Sequence, residues 1–425
     1  MDNKKERVLT IGLDIGQEKS YQSSMIELKE LVQAAGGGVI SEIVQRRESV
    51  HSAYFIGRGK AGEIQNYCDE LQIDTVVFND ELSGAQLRNL EEIIDRKIVD
   101  RTNLILDIFA NRASSREGKL QVKLAQLQYR LPRLVGFRDY LSREGAGIGT
   151  RGPGEQKLET DRRHIQREIN NIKSELKTLE KNRSIKRKQR ESSNLPIVAL
   201  VGYTNAGKST LLNRLIHDND ESSEDKKVFV RDMLFATLDT SLRRAKLSNG
   251  QDYLLTDTVG FVSKLPTNLI EAFKGTLEEV KYADLILHVV DSSNEDLDIQ
   301  VDTTIEILKD LDVLTKPLIT VFNKVDKIDL EELLYNNKYI VNEVFISAKD
   351  NLNINKLLKM IEENLPGELR HVLIKIPFNK HGELNYFMDK YKVTNIEHGE
   401  DGSVIELVID ELDYENYREY IIELL

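Results

Sequence analysis

The tightest constraint in this chain is a junction: the apolar run Ile197-Val198-Ala199-Leu200-Val201 passes straight into Gly202-Tyr203-Thr204-Asn205-Ala206-Gly207-Lys208-Ser209 and then into a helical pattern over residues 210–216 that begins with Thr210. An apolar run without alternation fits a strand buried on both faces, as in a parallel sheet. The glycines let backbone N–H groups turn inward on an anion, and the helix N-terminus adds positive field. Lys208 can reach the outer phosphates, and the Ser209 hydroxyl can hold Mg²⁺. By chance the pattern would arise in roughly one or two chains per hundred of this length, and its strand-loop-helix context makes it a phosphate-binding loop. Further apolar runs, Leu254-Leu255, residues 285–290, residues 318–322 and Val344-Phe345-Ile346, supply the other strands of a doubly wound α/β sheet.

An ordered set of polar motifs follows, several at the end of a predicted strand. Asp257-Thr258-Val259-Gly260 puts a carboxylate beside the Mg²⁺ shell and a glycine N–H where it can sense a γ-phosphate. Asn323-Lys324-Val325-Asp326 offers Asp326, which can accept both guanine N1–H and the 2-amino group. Ser347-Ala348-Lys349 offers the Ala348 N–H to guanine O6. Between the phosphate loop and Asp257, Phe235-Ala236-Thr237-Leu238-Asp239 offers Thr237 as a second Mg²⁺ ligand in a switch segment. Together these imply guanine-nucleotide binding, with Lys208, Thr237 and Gly260 as the catalytic set and Ser209, Thr237 and Asp257 as the metal set. After Gly260 stands Phe261, where many such proteins place a water-orienting Gln, so slow intrinsic turnover stimulated by a partner is expected. Asn205 is a candidate ligand for K⁺ against the phosphates, and equally a favoured turn residue.

The rest of the chain divides by period. Residues 1–110 alternate short apolar runs with helical stretches and read as a small α/β domain with a mainly parallel sheet; inside it, Gly57-Arg58-Gly59-Lys60 lacks phosphate-loop spacing and reads as a tight turn into a helix. Over residues 111–194, Leu120, Leu124, Leu127, Leu131 and Leu134, then Ile165, Ile169, Ile172, Leu176 and Leu179, recur at heptad-like spacing, which predicts two helices paired antiparallel. Pro132 predicts an end or kink to the first. Between them, residues 136–154 carry Gly145, Gly147, Gly149 and Gly152 with Arg138, Arg143 and Arg151, a composition that predicts a mobile, basic tip. The charged stretch 181–190 and Ser192-Ser193-Asn194 read as a linker into the 195–366 nucleotide domain. Residues 367–425 read as a small α+β domain of strand, helix, strand hairpin and helix, with turn signals at Gly382 and Asp401-Gly402.

Charge is unevenly placed. Residues 112–190 hold 21 Lys and Arg against 9 Asp and Glu, a local +12 inside a chain of net charge −12. A basic segment in an otherwise acidic protein suggests a local polyanion contact, with a solvated charged hairpin as the bland alternative. No apolar run approaches the ~20 residues that cross a bilayer, residues 1–7 lack the apolar core of a secretory signal, and the single cysteine, Cys68, rules out an intramolecular disulfide. A cytoplasmic, monomeric protein without membrane insertion is expected.

The basic hairpin ahead of the nucleotide domain, the segment Ser142-Arg143-Glu144-Gly145-Ala146-Gly147-Ile148-Gly149-Thr150-Arg151-Gly152-Pro153-Gly154-Glu155, the switch from Phe235 to Thr240, Asp257-Thr258-Val259-Gly260-Phe261, and Phe55-Ile56-Gly57-Arg58-Gly59-Lys60 resemble the HflX GTPases over nearly the whole chain. The resemblance implies a P-loop GTPase fold and a GTP/GDP cycle. It also implies binding to the large ribosomal subunit and its RNA, separation of stalled or idle ribosomes, and a glycine-rich loop inserted near the peptidyl transferase centre. A second class of function fits the same residues: an RNA-binding assembly chaperone whose nucleotide only gates affinity.

Overall fold

The computed structural model describes residues 5–16, 21–135, 153–191, 195–217, 242–247, 251–258, 260–264, 278–329, 339–365, 370–391, 393–399, 401–409 and 411–425. Four strands, β1 (Arg7–Asp14), β2 (Gly38–Arg46), β3 (Thr75–Phe78) and β4 (Lys97–Asp100), form an all-parallel sheet in the order β2-β1-β3-β4. The helices between them are α1 (Tyr21–Ala34), α2 (Arg58–Glu70) and α3 (Gly84–Ile94). Strand period 2 divides the residues between two cores. Leu9, Ile11 and Leu13 bury with Ile64 of α2 and Leu90 of α3, whereas Val8 buries with Met25 and Leu28 of α1. Helix α2 starts at Arg58 with Gly57 at its N-cap, the expected turn into a helix. Helix α4 (Arg101–Arg112) springs directly from β4, capped by the Asp100 side chain, which accepts from Asn103 N–H.

The helical hairpin is α5 (Arg116–Val135) and α6 (Pro153–Glu191). Their seam buries Leu124, Leu127, Ile165, Ile169 and Ile172, the heptad positions. Helix α5 does not end at Pro132 but runs on to Val135, where Arg133 fastens its last turn to the sheet: the guanidinium bonds Asp100 at 3.0 Å and the Leu82 carbonyl at 2.7 Å, and reaches back to the Tyr129 carbonyl at 2.9 Å. The charged stretch 181–190 is the final part of α6 rather than linker, and Arg183 within it is ion-paired to Glu117 and, at 3.5 Å, to Glu279.

The nucleotide domain contains β5 (Ile197–Gly202), α7 (Lys208–His217), β6 (Leu242–Lys246), β7 (Asp252–Asp257), β8 (Leu285–Asp291), α8 (Leu297–Asp310), β9 (Leu318–Asn323), β10 (Asn342–Phe345) and α9 (Ile354–Asn364). The sheet order is β10-β9-β8-β5-β7-β6, parallel except for the β6–β7 pair. Val198, Leu200 and Leu287 pack against α7 and α9, while Ala199, Val201 and Ile286 pack on the opposite face against α8, which makes the sheet doubly wound. Strand β6, Leu-Arg-Arg-Ala-Lys, lies on the edge and shows no apolar run, so it was not foreseen.

The last domain is β11 (Arg370–Pro377), α10 (His381–Lys390), β12 (Val393–His398), β13 (Gly402–Ile409), α11 (Glu411–Asn416) and β14 (Ile421–Leu424), an antiparallel sheet ordered β12-β13-β11-β14. Gly382 lies inside α10 instead of in a turn, and β14 is an additional strand.

His288 sits in the middle of β8, paired in register with Val201 of β5 and Thr320 of β9, and is 1% exposed. Burial, helped by the nearby Lys208 ammonium, pulls its pKa from 6.5 down to about 3. The unfolded chain therefore binds a proton below 6.5 that the folded one refuses. This histidine contributes stability above 6.5 that is lost as pH falls toward 3, at about 1.4 kcal/mol per pH unit. His288→Leu is expected to flatten the loss of stability between pH 6.5 and 5.5 by about 1 kcal/mol, since at 6.5 the unfolded histidine is only half protonated, measured by urea unfolding at the two pH values.

Candidate active site

Parallel strands carry their carboxyl ends to one edge, and there β5, β7 and β9 deliver their loops side by side. The loop after β5 is closed by Gly207 at φ +93°, where a Cβ would stand 2.2 Å from Asn323 Nδ2. Asn205 adopts φ +62°, the left-handed turn geometry. Lys208 is buried, and its ammonium donates to the carbonyls of Gly202 at 3.1 Å and Tyr203 at 2.7 Å. Burial draws its pKa down to about 8, opposed by Asp257. A phosphate placed against it would favour the charged form.

Ser209, at the start of α7, donates its hydroxyl to Asp257 Oδ2 at 2.8 Å. Two hard oxygens from a helix start and a strand end suit Mg²⁺, which takes few protein ligands and completes its octahedron with water and phosphate. Among the described residues, no cluster of three or more His, Cys, Asp or Glu offers a site of another kind. The Thr258 hydroxyl is turned away, donating to the Leu200 carbonyl at 2.7 Å. Gly260 lies directly over the loop: a Cβ there would meet Thr204 Cγ2 at 2.8 Å and Lys208 Nζ at 2.9 Å. Phe261 then pairs with the loop as a strand would, its carbonyl accepting from Thr204 N–H at 2.7 Å and its N–H donating to the Gly202 carbonyl at 3.2 Å. Its ring is 2% exposed in the core beneath α8, so residue 261 sends no side chain toward the phosphates.

At the base end, Asn323 is buried and bridges two loops: Nδ2 donates to the Ala206 carbonyl at 2.9 Å and Oδ1 accepts from Ala348 N–H at 3.0 Å. The N–H foreseen as facing guanine O6 thus bonds Asn323 in this structure. Lys324, at φ +65°, pairs with Asp291 at 2.7 Å. Asp326 is exposed, its carboxyl held below the usual range chiefly by the Ser347 hydroxyl. Ser347 is buried and Lys349 exposed. Arg214 of α7 was not foreseen; it clamps the carbonyls of Ala348 at 3.2 Å and Lys349 at 2.9 Å, and a lone arginine on a helix gives no sequence signal for that. Thr210 follows in the first turn of α7. Phe235, Ala236, Thr237, Leu238, Asp239, Val259, Arg138, Arg143 and Arg151 lie outside the described residues.

Residues 22–110 match the family described as GTP-binding GTPase N-terminal, residues 112–190 its middle region, and residues 197–324 the family described as 50S ribosome-binding GTPase. The GTPase HflX of Caldanaerobacter subterraneus is 46% identical over 98% of this chain and 94% of its own. The chain belongs to the HflX family of GTPases. The HflX of Escherichia coli is 40% identical over 88% of this chain and 86% of its own. A crystal structure of a GTP-binding protein from the archaeon Sulfolobus solfataricus, in complex with GDP, is 26% identical, covers 84% of this chain and 98% of that one, and gives a TM-score of 0.44. As a member of the HflX family the chain is a P-loop GTPase that hydrolyses GTP to GDP and phosphate, and no helix among its described residues is long and apolar enough to cross a membrane.

Asp326→Asn is expected to lower GTP affinity by about 2–5 kcal/mol, because an amide presents a donor to guanine's own donors. The same variant should gain affinity for xanthosine triphosphate, whose 2-oxygen accepts. Fluorescent-nucleotide titration with both triphosphates checks the pair, and unchanged GTP affinity would remove Asp326 from the base site.

Proposed function

We propose that this HflX GTPase binds the large ribosomal subunit through its basic middle region, uses GTP to favour the bound state, and separates stalled or idle ribosomes. The observation carrying this is the local +12 of residues 112–190, where the described side chains of the hairpin bury a narrow apolar seam and most of those described on α6 are exposed. Folding alone gives no reason for that charge; contact with ribosomal RNA phosphates does. The family description matched by residues 197–324 points to the same partner.

In the nucleotide site, Ser209, Thr237 and Asp257 would hold Mg²⁺, which neutralises charge on the β- and γ-phosphates. Lys208, Thr237 and the Gly260 N–H then contact the transferring group, while Asp326, Lys324, Asn323 and the Ser347-Ala348-Lys349 loop enclose the base. With Phe261 buried, orientation of the attacking water falls to backbone groups and to a partner, which fits slow intrinsic turnover stimulated by the ribosome. Asn205, exposed at its φ +62° turn, is the candidate ligand for a K⁺ ion beside the phosphates.

Replacing residues 144–152 with a short linker leaves α6 intact from Pro153 and should keep GTP binding and the melting temperature, while ribosome-stimulated hydrolysis and splitting fall sharply. Neutralising Arg138, Arg143 and Arg151 together should flatten the salt dependence of subunit binding by up to about three units of log–log slope. Sedimentation with separated and intact ribosomes, in GTP analogue, GDP and no nucleotide, reads both. A shortened variant that splits ribosomes like the parent would overturn the loop's role.

Exchanging K⁺ for Na⁺ at constant ionic strength should slow hydrolysis, and equal rates in a turnover assay would remove the Asn205 role.

A further inference from the structure

The segment after Gly260 is held from two sides. Phe261 buries in the nucleotide domain, yet the next residue, Val262, is fully buried in the amino-terminal domain's cluster with Met25, Leu28, Leu104 and Ile108. Ser263 then enters an ion pair of that domain. Its hydroxyl donates to Glu27 Oε2, and its N–H donates to the Tyr203 hydroxyl oxygen and, at 3.3 Å, to Glu27 Oε1. Arg101 is paired with Glu27, the two side chains 2% and 11% exposed, and donates to Ser263 Oγ at 3.0 Å and to its carbonyl at 3.3 Å. Tyr203, inside the phosphate loop, donates its hydroxyl to Glu27 Oε1 at 2.7 Å. One carboxylate from α1 therefore grips both the phosphate loop and the stretch three residues beyond Gly260. Arg101 is itself oriented by Asn79 at 2.8 Å, at the carboxyl edge of β3. That edge of a parallel sheet is where such folds place a ligand; here the segment from the nucleotide domain lies in it, with Lys264 reaching Asp80 at 2.7 Å.

We infer that Glu27, with Arg101 behind it, is a positioning residue for GTP hydrolysis: through Tyr203 and Ser263 it fixes Gly260 against the phosphate loop, so that its N–H is already aimed at the γ-phosphate. The inference rests on Gly260 as the γ-phosphate contact. Its physical basis is preorganisation. With no side chain at residue 261 to orient water, the rate depends on where a backbone N–H points, and a loose loop would have to be ordered at each turnover.

The test uses the full chain without ribosomes and measures kcat, KM for GTP, the ratio of fluorescent GTP-analogue to GDP affinity, and the melting temperature. Ser263→Ala and Tyr203→Phe each remove one hydroxyl and keep the Glu27–Arg101 pair and the fold; Glu27→Gln weakens the pair itself, and Glu27→Asp provides the rescue. Each of the first three is expected to lower kcat about tenfold with KM nearly unchanged, and to narrow the preference for the triphosphate. Combining Ser263→Ala with Glu27→Gln should add little to either alone. Glu27→Asp should recover part of the loss. Gly260→Ala separates the two claims: if it leaves hydrolysis intact, the γ-phosphate reading of Gly260 falls. If it abolishes hydrolysis while Ser263→Ala and Tyr203→Phe turn over at or above the parent rate with an unchanged melting temperature, the positioning role is overturned.

Discussion

A phosphate loop is a cavity made of backbone, and its shape must be held by something other than the ligand. In this chain that holder is the Asn323 carboxamide, 2% exposed, bonded through nitrogen to the Ala206 carbonyl and through oxygen to the Ala348 N–H. Removing it would leave two buried backbone groups without partners, at about 1–3 kcal/mol each. Because Asn323 ends β9, the bridge binds the loop after β5 to the loop after β10 through the strand edge. Arg214 repeats the connection from α7 to the carbonyls of Ala348 and Lys349. The phosphate and base halves of the site are thereby one body, and glycine is required at 207 because the Asn323 amide stands where a Cβ would.

The second constraint is that residues 260–264 belong to two cores at once. A fully buried valine contributes about 1.5–3 kcal/mol, and Val262 makes that contribution in the amino-terminal domain while Phe261, its neighbour, does so in the nucleotide domain. Any nucleotide that prefers one placement of Gly260 therefore also biases how the two domains dock, and any partner that pulls on the docking biases the nucleotide site by the same free energy. The fold needs no longer path than this segment for such coupling.

What could be read from the sequence follows from how locally each feature is encoded. The loop from Gly202 to Ser209, the carboxylate of Asp257 and the Asn323 motif were legible because backbone geometry and ligand chemistry restrict the residue types at short spacing. The heptads of the hairpin were legible because burial of a seam dictates period. The pair Glu27–Arg101 was not, since it unites residues 74 apart and then meets Ser263, 162 residues beyond Arg101. Pro132 misled for a related reason: a local helix breaker was outweighed by Arg133, whose partners Asp100 and Leu82 lie far away in sequence. Residues 181–190, polar except for Ile185, look like linker until Arg183 meets Glu279. Strands β6 and β14 both lie at sheet edges; β6, Leu-Arg-Arg-Ala-Lys, has no apolar run, and the short Ile-Ile-Glu-Leu of β14 fits a helix turn as well as a strand.

Phe261 links these observations. A glutamine at that place could stay in the aqueous cavity beside the phosphates, and the segment around it could remain loose. A phenyl ring is driven into the core, and once it is there the backbone on either side pairs with the phosphate loop, as the Tyr203–Phe261 bridge shows. In the mechanism proposed above, a backbone held in place takes over from a side chain that orients water. Holding requires walls, and the nucleotide domain supplies only one; the other is the amino-terminal sheet edge with Arg101 and Glu27. The hairpin is fastened to both: Tyr129 and Arg133, in the last turns of α5, bind Asp100, and Arg183, near the other end of the pair, reaches Glu279. A basic arm tied to both domains in this way passes any force it meets to the same two walls that hold Gly260.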